Sequence, residues 1–128
     1  MSYVLIVDDE ELIRTYLRRR LESWGHGVKD AVSAEEALVV MEAEAASIAV
    51  IDVRLPGKDG LWLTDRMCER WPGTLIIIAS GADDTESTEE RGNVGVSFRL
   101  QKPFDGEKLR EVIDQATQLL RKRESSGI

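Results

Sequence analysis

Apolar residues fall along the chain in short bursts: YVLIV at 3–7, IAVI at 48–51, LIIIA at 75–79 and VSFRL at 96–100. Their shortness and β-branching predict strands rather than helices. Between the bursts the apolar positions take helical spacing. Leu109, Val112, Ile113, Ala116, Leu119 and Leu120 fall on one helical stripe, and Leu12, Ile13, Tyr16, Leu17 and Leu21 form another. Ala34, Ala37, Leu38 and Met41 mark a third helix, entered through Ser33 with Glu36 three residues on, the spacing of a capping box. A weaker strand around Val28 fits between Gly27 and Ser33. Strand and helix thus alternate, and the strands are apolar on both sides. That pattern predicts an α/β domain whose parallel sheet is covered by helices on both faces. In such open sheets the ligand lies beyond the carboxyl ends of the strands, where the strand order reverses, so the chemistry is expected just after each burst.

Composition narrows the classes. A chain of 128 residues makes one domain, and its formal charge of -7 repels phosphodiester backbones and anionic membranes, which argues against nucleic acid as a direct partner. A single Cys and a single His exclude an internal disulfide and a structural zinc site. The longest apolar stretch, Leu75 to Ala79, is far short of the ~20 residues of a membrane span, and residues 1–10 have no leader pattern, so a cytoplasmic location is expected. The domain is expected over 1–122, with the polar end at 123–128 a frayed tail or linker start.

The strand ends carry the candidate chemistry. Asp8, Asp9, Glu10 and Glu11 follow the first strand, Asp52 ends the third, Ser80 and Gly81 the fourth, and Lys102 and Pro103 the fifth. Carboxylates within ~4 Å of one another repel by about 4 kcal/mol per pair at an effective dielectric near 20, so the cluster calls for a cation. All-oxygen ligation without His or Cys suits magnesium. Asp52 is then a candidate nucleophile toward phosphorus, with Lys102 offsetting phosphoryl charge and the Ser80 hydroxyl holding another oxygen. Each residue alone has a plainer explanation. Asp8 or Asp9 would cap the helix beginning near Glu11, and Asp52 would be a turn residue before Pro56 and Gly57. The joint occurrence at successive strand ends favours the chemical interpretation.

These residues resemble a response-regulator receiver domain, the phosphorylated half of two-component signalling. The similarity runs through VLIVDDEE at 4–11, VIDVRLPGKDG at 50–60, IIIASG at 76–81 and QKPF at 101–104. It implies a doubly wound, flavodoxin-like sheet of five parallel strands in the order 2-1-3-4-5. By position, Asp52 resembles the phosphoacceptor, Asp8 and Asp9 the magnesium-binding pair that acts together with Asp52, and the backbone carbonyl of Arg54 the remaining protein ligand. Ser80 resembles the switch hydroxyl, Lys102 the phosphate-contacting lysine, and Pro103 a proline preceded by a cis peptide. The resemblance also implies a histidine kinase or histidine phosphotransfer protein as phosphodonor, Mg2+ as cofactor, and a phosphoprotein rather than a turnover enzyme. No helix-turn-helix follows the last helix, so the output is left to a separate protein or a further domain.

One position departs from the family pattern. Receivers commonly carry Tyr or Phe three residues before the lysine, and here that switch position is Arg99, with Phe98 one residue early and so expected on the opposite face. Val96, Phe98 and Leu100 are expected to face the last helix, and Ser97, Arg99 and Gln101 the other side. The segment DDTESTEERGN at 83–93 has no large apolar residue, which predicts a short or mobile helix, with Arg99 reaching solvent or pairing with Glu89 or Glu90. The resemblance implies signalling by a conformational change of the 83–104 region, and a degenerate receiver that serves only as a docking module is the alternative function. A flavodoxin-type cofactor site is disfavoured because DDEE repels phosphate, and a haloacid-dehalogenase-type phosphatase because Arg54 occupies the place of its second acid.

Plainer roles are expected elsewhere. Arg14, Arg18, Arg19 and Arg20 form a basic run expected to be a solvated helix face, where a kinase could be steered. His26 is a turn residue, Trp24, Trp62 and Trp71 pack at helix ends, and Cys68 is a small apolar filler.

Overall fold

The apolar bursts become the strands of one parallel sheet. A computed structural model describes residues 2–81 and 96–126, with side chains to 124, so the expectations for 83–93, including Glu89 and Glu90, lie outside the described residues. The strands are β1 (Val4–Val7), β2 (Val28–Ala31), β3 (Ile48–Asp52), β4 (Leu75–Ser80) and β5 (Val96–Gln101). They are joined in the order β2-β1-β3-β4-β5, every neighbouring pair parallel. The helices among the described residues are α1 (Glu11–Ser23), α2 (Ala34–Ala43), α3 (Gly60–Arg70) and α4 (Gly106–Ser126).

Because side chains alternate along a strand, each central strand feeds two cores. Leu5, Val7, Ala49, Ile51, Ile76 and Ile78 point to one face and meet Ala37 and Met41 of α2 and Leu63 and Met67 of α3. Val4, Ile6, Val50 and Ile77 point to the other face and meet Leu17 and Leu21 of α1 and Leu109, Ile113 and Ala116 of α4. Each fully buried Leu, Ile or Met contributes ~1.5–3 kcal/mol relative to exposure. The α2 start follows its sequence signal, since the Ser33 hydroxyl accepts from the Glu36 amide at 3.1 Å, a cap worth about 1 kcal/mol.

Three local features differ from the sequence pattern. Phe98 and Leu100 do join the α1–α4 core, but Val96 packs on the α2–α3 side. A bulge is the cause: Ile76 pairs with Val96 and Ile77 with Phe98, which leaves Ser97 as an extra residue and turns Val96 over. The second difference is at the carboxyl end, where α4 continues through Arg121–Glu124 although those residues are exposed. Arg, Lys and Glu are good helix formers, so the helix outlasts its apolar stripe. In the third, Arg14 and Arg18 turn to Asp30 on β2 instead of lying on a solvated face, at 3.7 and 3.5 Å. Among the described residues no helix is long and apolar enough to cross a membrane.

Candidate metal centre

β1 and β3 lie side by side where the strand order reverses, and Asp8 and Asp52 stand at their carboxyl ends. Asp8 is only 2% exposed and is held on every side. Its amide donates to the Ala31 carbonyl at 3.1 Å, its Oδ1 accepts from the Glu10 amide at 2.9 Å, and its carbonyl accepts from Arg14 at 2.9 Å. The capping role weighed for Asp8 or Asp9 falls to Glu10, whose extended backbone precedes α1 without a side-chain capping bond. Asp9 is exposed, yet one oxygen each of Asp8, Asp9 and Asp52 lies within 4.8 Å of the others.

Asp52, 6% exposed, is the last residue of β3. Its Oδ1 accepts from the Arg54 amide at 3.3 Å. Lys102 bridges the two buried acids, with Nζ 3.3 Å from Asp52 Oδ1 and 3.4 Å from Asp8 Oδ2. The lysine backbone is fixed as well, since its amide donates to the Ser80 carbonyl at 2.7 Å and the Lys102–Pro103 peptide is cis.

The electrostatics follow from this packing. Burial, by itself, favours the neutral acid at Asp52; the neighbouring Asp8 charge adds to this, while Lys102 and the Arg54 amide oppose it, and the pKa remains above the usual aspartate value. For Lys102, burial pulls the pKa down, but the charges and hydrogen bonds of Asp52 and Asp8 outweigh it and leave the amine above its ordinary value. The ammonium is therefore a fixed positive charge between the two carboxylates. Three carboxylates and no nitrogen or sulfur donor make a hard-cation donor set, which fits magnesium.

A family model for the response regulator receiver domain matches residues 4–114. The chain belongs to this receiver family. Receivers bind Mg2+ through acidic residues and, as a family, are phosphoacceptors rather than turnover enzymes. Among its relatives, the NtrX-like response regulator of Rickettsia conorii is 33% identical over 125 residues, covering 95% of this chain and 26% of that protein. The positive alginate biosynthesis regulatory protein of Pseudomonas aeruginosa is 35% identical over 117 residues, covering 89% and 46%. The chain thus spans about a quarter to a half of the length of these relatives. Among solved structures, the receiver domain of NtrX from Brucella abortus superposes with a TM-score of 0.84 at 29% identity, covering 90% of this chain and 98% of that one. A CheY-like receiver from Methanospirillum hungatei gives 0.85 at 27% identity, with 98% of each chain covered.

In this receiver, Ser80 is buried at the end of β4, whereas Arg99 is exposed further back on β5, opposite Ile78. Two residues that shape the site were not singled out from the sequence for that role. Gly60 opens α3 directly against the Asp52 backbone, a tertiary approach that no local signal announces. Arg14 holds the Asp8 carbonyl. Its only signal was a place one turn into the helix after the acidic pair, from which a side chain points back over the preceding loop.

Proposed function

We propose that this receiver takes a phosphoryl group onto Asp52 from a phosphohistidine of a histidine kinase or histidine phosphotransfer protein, in the cytoplasm, and signals through a change of conformation at the end of the sheet. The observation that carries it is the convergence of Asp8, Asp9 and Asp52 around a shared space, with Lys102 bridging the two buried acids. Asp8, Asp9, Asp52 and the Arg54 carbonyl would hold Mg2+, which supplies positive charge to the transferring phosphoryl oxygens. The Asp52 carboxylate forms the new O–P bond as the P–N bond to the donor histidine breaks, and the departing imidazole nitrogen keeps the electron pair and takes a proton. Lys102 accompanies the phosphoryl charge, and Ser80 donates its hydroxyl to a phosphoryl oxygen. A groove of about 450 Å³ beside the site, lined by Glu10, Ile13, Tyr16, Lys102, Pro103 and Phe104, is a seat for the phosphodonor protein, with Leu12 84% exposed on the adjoining α1.

Intact-mass measurement after incubation with acetyl phosphate and magnesium tests this. One phosphoryl group should be gained, and Asp52→Asn should abolish the gain. A gain that survives the substitution would refute Asp52 as acceptor. The exposed Arg99 in place of an aromatic residue favours a second reading, a docking module without regulated phosphorylation. That module would show no mass gain and no magnesium-dependent binding of a phosphoryl analogue.

A further inference from the structure

We infer that Arg14 is a positioning residue for the acidic pair, setting the peptide plane from which both Asp8 and Asp9 spring; this rests on the proposed magnesium site. The Asp8 carbonyl and the Asp9 amide belong to one planar peptide unit. A bond to that carbonyl therefore fixes the backbone of both acids at once. Arg14 NH1 makes such a bond at 2.9 Å, and its side chain is only 16% exposed. The guanidinium is itself anchored: Nε lies 3.7 Å from Asp30 Oδ2. Asp30 is in register with Ile6 of β1 and also meets Arg18 NH2 at 3.5 Å, while Arg18 NH1 donates to the Val28 carbonyl at 3.2 Å. Asp30 thus holds Arg14, and Arg14 holds the Asp8–Asp9 peptide. A planar fork with several fixed donors suits this task, and a lysine does not reproduce it.

Charge and position predict opposite outcomes for Arg14. As a cation near an acidic cluster, it weakens the binding of another cation, so its removal on charge grounds alone tightens magnesium binding. As a positioning group it strengthens binding, because groups that orient metal ligands typically account for ~10–100-fold in affinity. Calorimetric titration of the full chain with magnesium chloride distinguishes them. Arg14→Ala should weaken binding by about tenfold or more, and its melting temperature without magnesium separates this from a general loss of fold. Equal or tighter binding by Arg14→Ala would overturn the inference, whereas no binding by the wild-type chain would instead overturn the magnesium site on which it rests. Should Arg14→Ala fail to fold, Arg14→Lys keeps the charge and the stem but not the fork; it should also bind more weakly, and wild-type affinity there would refute the positioning role. Asp30→Asn should weaken binding in the wild-type background and change little further once Arg14 is Ala. The same loss in both backgrounds would show that Asp30 acts by charge and not through Arg14.

Discussion

A methyl group on the α-carbon of Gly60 would collide with the Asp52 carbonyl oxygen and stand 2.9 Å from its carbonyl carbon. Both neighbours are backbone, so neither can swing aside. The approach is held by the Gly60 amide, which donates to the Val53 carbonyl at 2.9 Å, and by Asp59, which caps α3 through the Trp62 amide at 2.8 Å. Gly60→Ala should therefore push β3 and α3 apart, at a cost of ~1–3 kcal/mol or more, and displace the Asp52 carboxylate. Phosphorylation by acetyl phosphate should slow, as followed by intact mass. Gly57→Ala is the control. Gly57 has φ +74 in the same loop, so alanine there brings backbone strain of ~1–2 kcal/mol without touching Asp52. If the two variants lose stability equally and phosphorylate equally, the Gly60 contact does not position the acceptor.

Lys102 is the charge that lets two buried aspartates coexist, and its removal should make the fold depend on a metal. Its side chain is 23% exposed, against 3% for Asp8 and 7% for Asp52. Breaking a buried ion pair from one side costs roughly 3–5 kcal/mol because it leaves uncompensated charge. Lys102→Ala should melt well below the wild-type chain in buffer containing a chelator and recover much of the difference in excess magnesium. Recovery no larger than the magnesium shift of the wild-type chain would show that Lys102 does not serve as the counter-charge.

Asp9 offers a cleaner probe of the metal because it is exposed. Its replacement should alter metal binding while changing apo stability by no more than ~0.5 kcal/mol. Magnesium at a hundredfold excess over its dissociation constant should stabilise the wild-type chain by ~2.7 kcal/mol, and Asp9→Asn should lose most of that shift. A melting temperature indifferent to magnesium in the wild-type chain would remove the site.

Strands and site were legible in the sequence for a shared reason. IAVI and LIIIA are too short and too β-branched for helices, and the residues after each burst are where a parallel sheet gathers its chemistry, which is why the sequence groups Asp8, Asp52, Ser80 and Lys102. Features that depend on a partner strand or helix were not legible. The Ser97 bulge exists only in the pairing of β5 with β4, so simple alternation along β5 puts Val96 on the wrong face. Arg14 and Arg18 carry the same charge as Arg19 and Arg20, and nothing local tells the pair that turns to Asp30 from the rest of the run. The apolar stripe of α4 ends at Leu120, but helix propensity does not, so the helix runs on into the polar tail that the sequence pattern leaves without an element.

Alkaline stability should depend on Tyr3, at the end of the sheet remote from the acidic cluster. The phenol is buried and donates to the Glu44 carbonyl, with the Lys29 ammonium 4.6 Å above its ring. Burial first, and the Glu44 charge second, push its pKa above the ordinary value near 10. A group whose folded pKa is raised stabilises fully below the unfolded pKa, and that contribution is lost as pH rises through the folded one. Wild-type stability should therefore fall from about pH 10 upward, because the unfolded chain releases the Tyr3 proton while the folded chain still holds it. Tyr3→Phe removes both the hydrogen bond and this titration. At pH 8 it should be less stable than wild type by about 1 kcal/mol, the net worth of a typical hydrogen bond, and the gap should narrow as pH rises past 10. Urea unfolding at pH 8, 9.5 and 10.5 measures the trend, and a gap that widens across that range would refute the assignment.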